Sequence, residues 1–246
     1  MAFFHSPNIV TDGLALCYDA GDKTSYSGSI QGGVVLDWND LASSITGSIK
    51  GGPTFDTGNG GSLKFDGAND YVDTGNAFQS TFRSSFSIEF WAKADDGLPS
   101  EERQFGGEVT SGDEIQLALQ HSSQVGKLYF GYTSDGDAAY GRTSSAVFSD
   151  GATDWFHVVF VANDTTDQMS IYFDGVAQSL TSGDISGVTM GDFTTSNNFY
   201  VGALNNVGSL IYEWDGNIAI TRIYEKALSS KEVLQNYNAQ KGRFGK

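Results

Sequence analysis

The sequence predicts an all-β protein, a layered sandwich of short strands finished by one C-terminal helix. Three observations carry this. First, apolar and polar residues alternate with a period of two along Ser85-Phe86-Ser87-Ile88-Glu89-Phe90-Trp91-Ala92-Lys93-Ala94, the pattern of a strand with one face in a core. Trp91 lies on the otherwise polar face, so that face is expected to be partly covered too. Second, the chain has 246 residues with 31 glycines and only 3 prolines, which suits glycine turns between many short strands in one large β domain. Third, Met169-Ser170-Ile171-Tyr172-Phe173 meets Val176-Ala177-Gln178 across Asp174-Gly175, a strong local hairpin signal.

Taken in order, residues 1–13 read as an arm and a turn, and Leu14 to Tyr18 as a short buried strand. Residues 20–33 are loop, and Val34 to Trp38 fits either a strand or a packed loop. Ser62 to Asp66 and Tyr71 to Asp73 flank Gly67-Ala68-Asn69-Asp70, which is turn chemistry. Further alternating runs are Ile115 to Leu119, Leu128 to Tyr132 and Trp155 to Val161, followed by Phe199 to Gly202 and Ile218 to Tyr224. Residues 95–112 and 133–153 read as loops. Near the end, Ser229 is an N-cap and Glu232 completes a capping box, with Leu228 and Val233 as a hydrophobic staple. The helix is predicted over 229–241, with Val233, Leu234 and Tyr237 as its apolar stripe and Gly242 as its stop. No composition break divides the chain, so residues 1–246 are read as one domain.

Acidic residues outnumber basic ones 30 to 14, for a formal charge of −16. Such a field repels phosphate backbones and argues against nucleic-acid binding. Cys17 is the single cysteine, so stability must come from packing. Met1 to Pro7 carries neither a basic region nor a long apolar run, and no segment suits a membrane span. The expectation is synthesis in a cytoplasm without a signal peptide.

Four ordered patches resemble the concanavalin A-like, laminin-G-like family: Gly61 to Val72, Ser85 to Lys93, Trp155 to Val158 leading to Ile171 to Gly175, and Gly216 through Tyr224 to Ser229. The ends, Asn8 to Leu14 and Val233 to Phe244, resemble laminin-G-like structural proteins of tailed phages, including marine and cyanobacterial ones. The resemblance implies a jelly roll of two antiparallel sheets. It implies a non-enzymatic virion protein, a capsid decoration or tail-associated adhesion module, assembled in the host cytoplasm. Its partners would be neighbouring capsid or tail proteins and host surface polysaccharide, and a homo-oligomer is left open. The alternative is a stand-alone carbohydrate-binding, lectin-like module with optional calcium and no other cofactor.

The fold also hosts glycosidases. A retaining enzyme needs two carboxyls about 5–5.5 Å apart, and the Glu-x-Asp-x-x-Glu run of glucanase relatives is missing here. Glu108, Asp113 and Glu114 form the nearest acidic cluster, in a segment read as loop. No catalytic residue is therefore assigned. For calcium, which takes six to eight oxygens, the candidates are Asp66, Asn69, Asp70 and Asp73 on one hairpin and Asp215 from elsewhere. The competing reading has these acids making turn hydrogen bonds. Many relatives place a further acid in the last core strand, where this chain has Ala219. For glycans, the candidates are the aromatics in polar, loop-like segments: Trp38, Tyr140, Tyr212 and Trp214. Trp91 and Trp155 are read as core. Phe3 and Phe4, beside Pro7 in the arm, are candidate docking residues.

Overall fold

The computed structural model of the chain describes residues 8–26, 30–31, 34–35 and 37–246. Two antiparallel-dominated sheets, of eight and eleven strands, are stacked face to face. The first sheet has the predicted Phe86–Ala94 strand at its centre, between Phe156–Asn163 and Asp215–Tyr224. Gln168–Phe173 and Val176–Ala177 extend it on one side, Ser62–Asp66 and Thr54–Asp56 on the other. Leu14–Asp19 pairs with the end of Asp215–Tyr224. The predicted hairpin is present: Phe173 faces Val176, and Asp174 and Gly175 both have positive φ (48° and 78°), the geometry of a tight turn that follows strand twist.

The second sheet runs Leu180–Ser182, Asp137–Thr143, Leu128–Ser134, Glu114–Leu119, Arg103–Val109, Tyr200–Val201, Tyr71–Asp73, Thr46–Lys50 and Asp37–Asn39. Two of these strands lie in segments expected to be loops. Arg103–Val109 carries one large core residue, Phe105, and Asp137–Thr143 is built of small and polar residues. Both are held by neighbours: Glu108 faces Ile115 and Tyr140 faces Gly131.

Between the sheets, alternate residues interdigitate. Phe86, Ile88, Phe90 and Ala92 point inward, as their period predicts, and meet Phe105, Phe130 and Phe160 from other strands. Rings 5.6–5.9 Å apart in tilted or edge contact add to area burial.

The opposite face of Phe86–Ala94 is also covered. Helix Ser230–Gln240 starts at the predicted Ser229 with its capping box complete, and Leu228 and Val233 are buried as the staple requires. Leu234 departs from the expected stripe and is exposed, because Val233 and Asn236 face the sheet. Beyond the helix the tail folds back. Phe244 stacks on Trp91 at 4.2 Å, and Arg243 donates to the carbonyls of Asn59 and Gly61 and pairs with Asp19. A bulge between Ile218 and Ile220 places Ala219 in this outer cluster with Trp91 and Phe244. Trp155, expected within a strand, precedes Phe156–Asn163 and is half-buried against Phe244. Among the described residues no helix is long and apolar enough to cross a membrane.

Candidate functional site

The two sheets differ on their outer faces. The first is roofed by the helix and tail. The second carries a row of aromatic and polar side chains set by cross-strand register. Gln104 faces Ala118, Ala118 faces Tyr129 and Tyr129 faces Arg142; one row along, Gln116 faces Gly131 and Gly131 faces Tyr140. These residues alternate with Leu117, Phe130 and Gly141, so they point away from the core.

Tyr129 organises the row. His121 stacks on it at 3.8 Å and 9°, Tyr140 lies 6.0 Å away at 25°, and the Arg142 guanidinium sits 5.4 Å from the centroids of both tyrosine rings. Tyr140 is 40% exposed, so the stack ends in an open ring face. Gly131 is the low point between them. A Cβ there would lie 2.8 Å from the Tyr129 hydroxyl and 3.0 Å from Glu114 Oε1.

Beside the stack lies a cleft of 330 Å³ lined by Glu102, Gln116, Gln120, His121 and Tyr212. Its hydrogen-bonding groups are incompletely engaged. Gln104 Nε2 donates to Glu102 Oε1 at 2.5 Å, and Gln120 Nε2 donates to the Pro99 carbonyl. The Oε1 atoms of Gln116 and Gln120 and the Nε of Arg142 are buried with no hydrogen-bond partner among the described residues. Burial pushes the Glu102 carboxyl up to about 7, against the pull of the Gln104 bond. Burial, then Arg142, lowers His121, which keeps its imidazole neutral near pH 7. The 3.9 Å approach of His121 Nε2 to Glu102 is therefore a polar contact and not an ion pair. Together these groups offer ring faces for C–H surfaces and oxygen acceptors for hydroxyls.

Of the aromatics expected to bind sugar, Tyr140 and Tyr212 belong to this face, each 40% exposed. Trp38 and Trp214 do not. Both are fully buried: Trp38 stacks on Tyr18 at 5.1 Å and Trp214 packs 4.5 Å from Phe105. Polar neighbours made them look exposed, but each occupies a single inward position beside outward polar ones. Tyr129, His121 and Arg142 were missed. The alternation in Leu128 to Tyr132 already sets Tyr129 opposite Phe130, and that was the available signal.

The calcium candidates are not assembled as a cage. Asp66 Oδ1 accepts from the amides of Ala68 and Asn69, Asp70 Oδ2 accepts from the Asp66 amide, and Asp73 Oδ1 accepts from the Gly75 amide and Asn198 Nδ2. These are turn bonds, and Asn69 is exposed. Asp215 faces Asp66 across paired strands, its carboxyl raised by burial and by Asp95. Burial and neighbouring Asp66 push Asp70 up to about 6. Among the described residues no three His, Cys, Asp or Glu are gathered to hold a metal. Of the acidic cluster, Glu108 is not in a loop. It is fully buried in the Arg103–Val109 strand, facing inward beside Ile115, with Thr195 donating to it at 2.6 Å. Phe3 and Phe4 lie outside the described residues.

A family model described as the concanavalin A-like lectin/glucanases superfamily matches residues 66–234. The chain belongs to this superfamily. Solved structures with the same fold include the receptor-binding domain of botulinum neurotoxin C/D mosaic serotype, with a TM-score of 0.67 and 16% identity over 94% of this chain. This chain covers 52% of that one, about half its length. Domain 4 of the extracellular arabinanase AbnA from Geobacillus stearothermophilus, solved with arabinotriose, has a TM-score of 0.64 and 20% identity, over 91% of this chain and 98% of that one. The CBM40 of Ruminococcus gnavus IT-sialidase, solved with α2,3 sialyllactose, has a TM-score of 0.55 and 15% identity, over 70% and 93%. No curated protein matches the chain. At these identities the likeness concerns the fold.

Proposed function

We propose that this superfamily member is a non-catalytic carbohydrate-binding module and that its sugar site is the outer face of the second sheet. The carrying observation is the Tyr129–Tyr140–Arg142 stack beside buried, unpartnered glutamine oxygens. A sugar ring has an apolar face that lies on an aromatic ring and hydroxyls that donate to such acceptors. Structural neighbours solved with arabinotriose and sialyllactose support the reading by analogy of fold. The proposal gives calcium no part: Asp66, Asp70 and Asp73 each accept from a backbone amide of their own turn.

The test is retention on a panel of immobilised polysaccharides, comparing the native chain with Tyr140→Ala. The native chain is expected to be retarded on at least one polysaccharide and the variant to lose that retardation. Equal retention of the two would place the site elsewhere. The narrower setting, a capsid decoration or tail adhesion protein of a phage, rests on the resemblance of the chain ends. Mass spectrometry of purified particles decides it: fixed stoichiometry supports it, and absence from particles contradicts it.

A further inference from the structure

We infer that the cleft beside Tyr129 selects uncharged sugars over carboxylated ones, an inference that rests on the glycan-binding reading above.

The argument is one of charge and of unpaired atoms. Gln120 is only 6% exposed, lines the cleft, and its Oε1 has no partner among the described residues. Gln116 Oε1, on the same lining, is equally unpartnered. A buried acceptor without a donor is costly, and a ligand hydroxyl relieves it. A carboxylate group placed at these atoms has no proton to donate, so it cannot stand in for a hydroxyl there.

The charges point the same way. Glu101 and Glu102 line the cleft, and Glu114 borders the stack at Gly131. His121 is held neutral by burial and by Arg142. Arg142 is the cation of this face, and among the described residues it is in no ion pair. Yet it lies over two tyrosine rings, with Nη2 3.5 Å from His121 Nδ1. Arg103, three strands away in the same sheet, donates to the carbonyls of Gly67 and Glu213 and is turned to them. A bound carboxylate would therefore meet Glu101, the partly protonated Glu102 and Glu114, the last two raised by burial, and one guanidinium that lies against ring faces with its Nε unpartnered, in a protein of formal charge −16. Like charges in a partly desolvated cleft repel strongly.

The experiment is an array that pairs neutral oligosaccharides with their carboxylated counterparts, for example lactose with α2,3-sialyllactose and galactan with galacturonan fragments. It is read at pH 7.4 for the native chain, Tyr140→Ala and Gln120→Ala. The expected result is binding to neutral members, at least tenfold weaker binding to the carboxylated partner of each, and loss of neutral binding in both variants. Binding of a carboxylated member as tight as its neutral partner would overturn the inference while leaving the glycan reading intact. Neutral binding unchanged in both variants would overturn the assignment to this cleft. Binding to no member would contradict the glycan reading and the inference with it.

Discussion

Glu89 and Arg222 face each other across paired strands on the roofed side of the first sheet, Arg222 Nη1 donating to Glu89 Oε1 at 2.6 Å, and both are fully buried. The pair is the middle of a network. Asn236 of the helix donates to Glu89 Oε2 at 2.6 Å and to the Tyr224 hydroxyl at 2.9 Å, and accepts from the Val10 amide at 2.8 Å. His157 Nε2 lies 3.2 Å from Glu89 Oε1. One carboxylate thus ties the helix and N-terminal segment to the sheet. Arg222→Met leaves that charge buried and uncompensated and is expected to cost about 3–5 kcal/mol in denaturant unfolding. Glu89→Gln combined with Arg222→Met is expected to recover part of the loss. A combined loss equal to the sum of the single ones would contradict this account.

The same pair sets an acid limit. Burial is the largest single influence and would raise Glu89, but Arg222, His157 and Asn236 together outweigh it, and the carboxyl is held at about 2, below its usual 4.5. A depressed acid contributes stability that is full above about 4.5 and is lost as pH falls through 2. Thermal melts across that window are expected to fall for the native chain and to be flatter for the double variant.

Glu108 acts with the opposite sign. Burial raises it to about 8, with Asp113 adding and Thr195 opposing. The folded chain keeps a proton there that an unfolded glutamate releases above about 4.5, so stability declines from there through pH 8. The slope from this group is at most about 1.4 kcal/mol per pH unit. Glu108→Gln keeps the shape without the charge and is expected to melt higher than the native chain at pH 8 and to match it near pH 5. A variant less stable at both would contradict the assignment.

The tail should behave as a strap. Phe244 is 4% exposed between Trp91 and Trp155, at 4.2 and 4.9 Å. Phe244→Ala is expected to destabilise by about 3 kcal/mol and to shift tryptophan emission to the red as Trp91 meets water. Unchanged emission would mean the tail covers nothing that matters.

Trp214 and Tyr140 are predicted to separate packing from binding. Trp214→Ala empties a core position against Phe105 and is expected to cost about 3–5 kcal/mol. Tyr140→Ala, at an exposed strand position, is expected to stay within about 0.5 kcal/mol of the native chain. Urea unfolding of the two variants measures both.

What the sequence made legible was local. The period-two run at Phe86 to Ala94, the Asp174-Gly175 turn and the Ser229–Glu232 box each depend on neighbours within a few residues, and each is in place. What it hid depends on distant chain. Arg103–Val109 and Asp137–Thr143 become strands through their partners, since neither has enough apolar residues to announce itself. The candidate face hid for the same reason: Tyr129, Tyr140 and Arg142 join only through register, and Gln116 and Gln120 come to notice only as buried atoms lacking partners. Trp38 and Trp214 show the converse, core residues concealed by polar neighbours.

The central claim is that sugar binds the outer face of the second sheet. Titrating isotope-labelled protein with a neutral oligosaccharide that it retains, and following amide and side-chain resonances, tests this directly. The account predicts shifts centred on Gln116, Gln120, Tyr129, Tyr140 and Arg142, with Trp214 and the Asp66–Asp73 turn unmoved. Shifts confined to the roofed face around Trp155 and Phe244, or to the Asp66–Asp73 turn, would contradict it.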